Sequence, residues 1–267
     1  MDLTFIIPTR IETEDRLLNI ISSVSYLLRH LDAKVIVKEV SSHNTFQHRA
    51  LPEIKKYADI SNLTHLYEES QAPLFCKSKV LNDLIVAADT EFVANYDADC
   101  ILPLTSYYRA YDFLERGDAD VVYPYGCGIY QWRAAYDMNI FNQFVHTLST
   151  DVLDKHKTIS NSTIGWTQFI NRQKYIDCYM MNENFVSWGC EDDEFYFRMS
   201  TLGNRIKRLD GYVYHLEHSR THNSWFSNPN FNNNYQLWNI IKTFDREKLV
   251  EYYEGQDYLH KRRGQLA

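Results

Sequence analysis

Three short stretches of this chain carry side chains that can do chemistry together. The first is Asn95-Tyr96-Asp97-Ala98-Asp99, where two carboxylates stand one residue apart just after the apolar run Phe92-Val93-Ala94. An apolar run this short, ended this abruptly, reads as a buried strand. In open α/β sheets, ligands collect outside the carboxyl ends of strands. Two acids released there can approach one hard cation, since carboxylate oxygens suit Mg2+ or Mn2+, and that cation can hold a diphosphate. The D-x-D spelling is short enough to arise by chance. The chain supplies its own comparison in Asp118-Ala119-Asp120, which precedes the apolar run Val121-Val122-Tyr123. That copy stands at a strand's entrance, the wrong end for a ligand.

The second stretch, Ser187 to Phe195, reads SWGCEDDEF. Gly189 lets the chain turn tightly, and Glu191, Asp192 and Asp193 then open a helix. Two readings stand side by side. Acids in a first turn complement the helix dipole and need no function. Alternatively, one carboxylate is a general base, kept ionised by the helix terminus beside the flat face of Trp188. The third stretch, Tyr212 to Asn223, places His215 and His218 three apart after a predicted strand. That spacing can bring two imidazoles to one metal, and it also occurs on ordinary surfaces. Carboxylate plus imidazole suits a borderline ion such as Mn2+ better than Mg2+ alone.

These residues need elements to position them. Leu3 to Pro8 reads as a buried strand with Thr9-Arg10 at its carboxyl end. Thr13 is placed to cap the next helix, whose apolar face is Leu17, Ile20, Ile21, Val24, Leu27, Leu28 and Leu31. Lys34 to Val40 is a strand with Glu39 near its end. A helix is predicted over 46–57, a strand over 63–67, and a helix over 77–88 leading into the Asp97 strand. Strand and helix therefore alternate through the first hundred residues, the signature of a parallel α/β sheet. The second half is less regular. Val121 to Tyr123 is a strand, 132–153 is predicted mostly helical, Glu191 to Leu202 is a helix, and 206–214 gives short strands.

The 267 residues, 45% hydrophobic and 24% charged, make an ordinary soluble globular composition with room for a sizeable core. A net charge of −7 argues against a nucleic-acid partner. No apolar run reaches the length of a membrane span, and Met1-Asp2-Leu3 has no basic n-region of a signal peptide. Five cysteines, an odd number with no CxxC pair, fit a reducing cytoplasm. In that compartment the glycosylation spellings at Asn62 and Asn161-Ser162-Thr163 carry no meaning. The basic tip Lys261-Arg262-Arg263 allows at most a peripheral contact with acidic lipid.

Taken in order, these motifs resemble the GT-A-fold glycosyltransferases. FIIPTR and the Asp97–Asp99 motif look like family 2 enzymes. The second half is similar to the C-terminal region of β-1,4-galactosyltransferases and chondroitin-polymerase-type transferases. Its W-G-x-E-D motif is matched by Trp188-Gly189-Cys190-Glu191-Asp192, and its H-S-R run by His218-Ser219-Arg220. The spacing from Gly165-Trp166 to Glu191-Asp192 matches without a gap, with Trp166 where that pattern has glycine. Phe75-Cys76-Lys77-Ser78-Lys79 looks like the family's F-N-R-A-K segment.

The resemblance implies an α/β GT-A fold, a nucleotide-diphospho-sugar transferase fold with a mostly parallel central sheet flanked by helices. It implies a transferase domain over 1–223, divided into a nucleotide-binding half (1–103) and an acceptor and catalytic half (104–223), with a C-terminal helical extension over 224–267. It places Pro8, Arg10, Phe75 and Lys77 around a uridine, Asp97 at the ribose or metal, and Asp99 on the metal. His218, with His215, completes the metal site. Gly165 and Trp166 border the donor sugar, Trp188 and Glu191 contact sugar, and Asp192 is the catalytic base. Successive residues at a helix start point about 100° apart, which puts Asp192 at the core-facing edge, Glu191 at the rim and Asp193 away toward solvent. Glu12 stands where the family has an arginine. Glu39 is added from strand-end geometry as a reader of the uracil edge. The implied activity is Mn2+-dependent (or Mg2+-dependent), inverting transfer of galactose or N-acetylgalactosamine from a UDP-sugar to a saccharide acceptor, free or lipid-linked, in bacterial surface-polysaccharide synthesis in the cytoplasm. Two other classes compete. A sugar-nucleotide nucleotidyltransferase would need a Gly- and basic-rich phosphate loop, and Pro8 to Glu14 offers only Arg10. A non-catalytic carbohydrate-binding protein would not need the metal set or Asp192.

Overall fold

The structure, a computed structural model, describes residues 1–160, 163–223 and 225–266; the first two positions of the Asn161-Ser162-Thr163 spelling lie outside the described residues. The strands are β1 (Leu3–Thr9), β2 (Lys34–Ser41), β3 (Leu63–Glu69), β4 (Phe92–Tyr96), β5 (Cys100–Ile101), β6 (Val121–Tyr123), β7 (Gln131–Ala134), β8 (Lys157–Ile159), β9 (Thr167–Asn171), β10 (Ile206–Arg208) and β11 (Val213–Leu216). The helices are α1 (Glu14–His30), α2 (Leu51–Tyr57), α3 (Lys77–Ala87), α4 (Leu104–Glu115), α5 (Met138–Thr147), α6 (Thr150–Asp154), α7 (Arg172–Asp177), α8 (Glu191–Thr201), α9 (Phe231–Ile241), α10 (Arg246–Glu254) and α11 (Asp257–Leu266). A wide π-type turn, Phe46–Ala50, leads into α2.

Seven strands form the central sheet in the order β10-β6-β9-β4-β1-β2-β3. All pairs are parallel except those of β9, which runs antiparallel to β4 and β6. Side chains alternate between the two faces, as a strand's period of two requires. Phe5, Ile7, Val35, Val37 and Phe92 pack into the core shared with α1 and α4, while Ile6, Ile36 and Val93 join α3 and α8. The chain runs from β1 outward to β3 and then returns to β4 on the other side of β1. That reversal leaves a crevice at the carboxyl ends of β1 and β4, where α/β sheets bind ligands.

A second sheet, β5-β11-β7-β8, stands across this crevice. β5 follows the Asp97–Asp99 turn directly and pairs antiparallel with β11, Cys100 opposite His215. This pairing corrects one expectation. Residues 132–134, read as the start of a helix, form β7 because Trp132 and Arg133 pair with Tyr214 and His215, some eighty residues later. Helical structure resumes at α5. At the C-terminus, α9 packs on α8 and α11 on α3. The basic tip is largely engaged by the protein's own acids. Arg262 is buried against Asp83 and Glu183, and Arg263 pairs with Glu254 at 2.8 Å.

Candidate active site

Each side of the crevice is positioned by a local feature of the sequence. The Asp97–Asp99 turn is held from below by α1, whose Ser23 hydroxyl donates to the Ala98 carbonyl at 2.7 Å. Asn19 on the same helix donates to the Leu216 carbonyl at 3.0 Å, and the Leu216 N–H donates to the Asp99 carbonyl at 2.7 Å. Asp15 accepts the Ser219 N–H and the Thr13 hydroxyl. Thr13 thus marks the start of α1 without capping a backbone N–H as expected, because its hydroxyl orients Asp15 instead. The acidic helix α8 starts from a loop in which Ser187, Gly189 and Cys190 all have positive φ. Non-glycine residues in that region store strain that surrounding structure must hold, and such positions cluster at functional sites.

Pro8, Arg10, Phe75, Lys77, Asp97, Asp99, Gly165, Trp166, Trp188, Glu191, Asp192, His215 and His218 all line one cleft of about 210 Å³. Glu39 is not brought there. Its carboxylate is fully buried and accepts the Phe46 N–H at 2.8 Å and the Ser41 hydroxyl at 3.1 Å. It closes the turn that begins Phe46–Ala50, so the uracil-edge assignment is corrected to a structural one. Arg10 donates to the carbonyls of Val40 and Ala72 and lies over the Phe75 ring at 5.5 Å, forming a flat wall. Glu12 accepts from Thr221 and Asn223, both at 2.8 Å, and ties the segment after His218 across the cleft.

One end of the cleft collects Asp99, His215 and His218. Their ligand atoms lie within 4.8 Å of one another, and among the described residues they are the one such group of three. His218 Nε2 is 3.1 Å and His215 Nε2 3.7 Å from Asp99 Oδ2. His218 Nδ1 faces the Ser219 carbonyl at 2.9 Å. A carbonyl only accepts, so Nδ1 carries the hydrogen and Nε2 presents its lone pair to a carboxylate. Two acceptors that close need a cation between them, either a proton or a metal. His215 Nδ1 is buried and makes no hydrogen bond among the described residues, with a Glu217 carboxylate oxygen 4.0 Å away. One carboxylate and two imidazoles fit a borderline divalent ion, and the carbonyl behind His218 is the usual orienting partner of a ligating imidazole. Burial opposes charge on both Asp99 and His218, yet the two histidines hold Asp99 well below the usual carboxylate range and Asp99 holds His218 above the ordinary imidazole value. Burial lowers His215.

The other end collects Asp97, Lys77, Asp192 and Glu191. Lys77 Nζ stands 2.8 Å from Asp97 and 3.9 Å from Asp192. Burial works against its charge, but Asp192, Asp97 and Glu191 outweigh that and keep it protonated. Burial, and then Asp192, push Glu191 upward. Its carboxylate accepts the Gly189 N–H at 2.8 Å and it is only 5% exposed, so it is not the rim residue the helix period implied. Asp192 faces the cleft against Gly165, where a Cβ would stand 2.6 Å from Asp192 Cγ. Only a residue without a side chain leaves that carboxylate its place. Asp193 is exposed.

Two features escaped the sequence reading. Arg16 lines the cleft with a buried Nε that makes no hydrogen bond among the described residues, and its charge acts on Asp99 and His218. A cation in the first turn of a helix opposes the dipole, and that was the signal available. Behind the cleft, Glu194 and Arg198 form a fully buried pair at 2.8 Å, joined by the Tyr253 hydroxyl and the Cys178 carbonyl.

A mostly parallel sheet with a reversal at β1/β4, a small mixed sheet bearing a histidine opposite the strand-end acids, and a glycine-shielded carboxylate at a helix start define a GT-A fold. Comparisons with known proteins agree. Residues 153–219 match the family model described as the N-terminal domain of galactosyltransferase. The S. aureus TarS 1–349 structure, in complex with UDP-GlcNAc, superposes with a TM-score of 0.55 and 18% identity over 90% of this chain and 66% of that one. The mannosyltransferase PcManGT from Pyrobaculum calidifontis, in complex with GDP-Man and Mn2+, gives 0.58 and 14% over 99% and 72%. GalNAc-T7 with UDP, GalNAc and Mn2+ gives 0.57 and 13% over 85% and 44%. At these identities the likeness establishes the fold, and the chain spans less than two thirds of the TarS and GalNAc-T7 chains. No curated protein matches the sequence significantly. Among the described residues, no helix is long and apolar enough to cross a membrane.

Proposed function

We propose that this chain is a metal-dependent inverting glycosyltransferase that moves galactose or N-acetylgalactosamine from a UDP-sugar to a sugar hydroxyl. The observation that carries the reading is that the Asp99–His215–His218 set and the Asp192 carboxylate face one cleft at the sheet's reversal point. Asp99, His215 and His218 would hold Mn2+; when bound, the ion neutralises charge developing on the departing diphosphate. Arg16 adds a fixed positive charge on that side. The Arg10–Phe75 wall stacks the base. Lys77, pinned by Asp97 and Asp192, orders the middle of the cleft. Asp192 takes the proton of the attacking hydroxyl, and a single displacement then inverts the anomeric centre. Glu191, held by Gly189, sets the start of α8 and so the aim of Asp192. Galactose-type donors are favoured by the match over residues 153–219. The free state of all five cysteines supports a reducing compartment, and a role in bacterial surface-polysaccharide assembly rests on analogy of fold.

The test is a panel of UDP-, GDP- and CMP-sugars incubated with the protein and Mn2+, with NMR reading the configuration of the first sugar released. UDP-galactose or UDP-N-acetylgalactosamine should be hydrolysed faster than UDP-glucose, releasing the inverted β-anomer first. Turnover of only GDP- or CMP-sugars would refute the donor, and first release of the α-anomer would refute inversion.

A further inference from the structure

From Trp188 at the cleft, an aromatic surface runs outward onto α9. Trp188 lies offset-stacked on Phe231 at 5.6 Å, and Phe231 on Tyr235 at 6.1 Å. Phe226 stands edge-on to Trp188 at 5.6 Å and to Phe231 at 4.9 Å. Phe226 is 63% and Tyr235 50% exposed. Rings left together in water mark a binding surface more often than chance.

The surface is built firmly. Asn228 donates to the Trp188 carbonyl at 2.6 Å and Asn230 to the Val186 carbonyl at 3.2 Å. Asn234, almost fully buried, both donates to the Val186 carbonyl and accepts its N–H. These amides lock the start of α9 to the loop that carries Trp188. The chemistry of the segment selects its ligand. Residues 221–241 contain no Asp, Glu, Lys or Arg, and Asn232, Asn233 and Gln236 are exposed beside the rings. A phosphate chain, an acidic glycan or a charged peptide finds no carboxylate, ammonium or guanidinium within this segment. Neutral sugars match it, their C–H faces lying on aromatic rings and their hydroxyls meeting side-chain amides that both donate and accept.

We propose that this surface is an extended acceptor site for a neutral oligosaccharide, with the reacting sugar at Asp192 and the following sugars on Phe226 and Tyr235. The proposal rests on the glycosyltransferase reading for its direction, since only a transferred-to sugar need begin at Asp192. The test probes the full chain, with Mn2+ and UDP, against immobilised neutral hexose and N-acetylhexosamine glycans from mono- to hexasaccharide, with uronic-acid oligosaccharides alongside. A bound tetrasaccharide should bind about tenfold or more tighter than its terminal monosaccharide. Tyr235→Ala and Phe226→Ala should each weaken it by about tenfold, and Tyr235→Phe should retain it. Binding that ignores length, prefers the uronic-acid series, is absent throughout or is unaffected by both alanine variants overturns the proposal. Sugar-nucleotide hydrolysis by the wild-type protein is read in parallel. Length-dependent glycan binding without any hydrolysis would remove the transferase reading and keep the saccharide surface, whereas hydrolysis without such binding would remove the surface alone.

Discussion

Gly165→Ala is the sharpest perturbation the site offers. The new Cβ would stand 2.6 Å from Asp192 Cγ and nearer still to its Oδ2. Carbon atoms pack at about 3.5–4.0 Å, so the Asp192 carboxylate must retreat by roughly 1 Å. It is the free end of a side chain, and Gly165 itself does not have positive φ, so the clash is relieved by rotation of Asp192 and the fold is barely strained. Misplacing a reacting group by that distance costs about 10²-fold in rate, or about 2.7 kcal/mol of barrier. The assay is UDP release from saturating UDP-galactose with Mn2+, with a melting curve beside it. The expected result is turnover down about 10²-fold with the melting temperature nearly unchanged. Asp192→Asn, which keeps the shape and removes the base, should lose ~10²–10⁴-fold. Wild-type turnover in Gly165→Ala would show that the carboxylate beside it is not the base.

Asp193→Asn, one residue along and exposed, should leave turnover within about twofold in the same assay; a loss matching that of Asp192→Asn would shift the base assignment. Glu194→Gln leaves the buried Arg198 guanidinium without its counter-charge, a change worth about 3–5 kcal/mol. Calorimetry should show a melting temperature lower by on the order of 10 °C, and an unchanged one would mean the pair is not structural. In metal-free protein the folded His218 pKa lies above the unfolded value of about 6.5, because the Asp99 contact outweighs burial. Its stabilisation is therefore complete below that value and lost as pH rises through the folded one. Mn2+ must displace the same proton, so its binding should tighten across that window and release protons. Identical calorimetric heats in buffers of different ionisation enthalpy would contradict this.

Local periodicity made the first half of the fold legible. Leu3–Thr9, Lys34–Ser41 and Phe92–Tyr96 read as strands because they are short apolar runs, and they are central strands. The strand-end position of Asp97 and Asp99 pointed to a ligand for the same reason. What failed depended on partners distant in sequence. Trp132 is in a strand because it pairs with Ile159 and Tyr214, both distant in sequence. A glutamate at a strand end can face a ligand or the chain's own next turn, and Glu39 does the latter. The helix period placed Glu191 at the rim, but three positive-φ residues before it rotate the start of α8 and bury it. Asn19 and Ser23 look like interruptions in an apolar helix face, yet they hold β11 and the Asp97–Asp99 turn.

Asp99, His215 and His218 are proposed to hold a divalent ion that sugar-nucleotide cleavage requires. The most direct measurement is UDP release from UDP-galactose by wild-type protein and His218→Ala, each in Mn2+, in excess chelator, and after Mn2+ is restored. The expected result is turnover in Mn2+, none in chelator, full recovery on restoration, and a higher Mn2+ requirement in His218→Ala. Undiminished turnover in excess chelator, or a His218→Ala protein with the wild-type Mn2+ requirement, would contradict it.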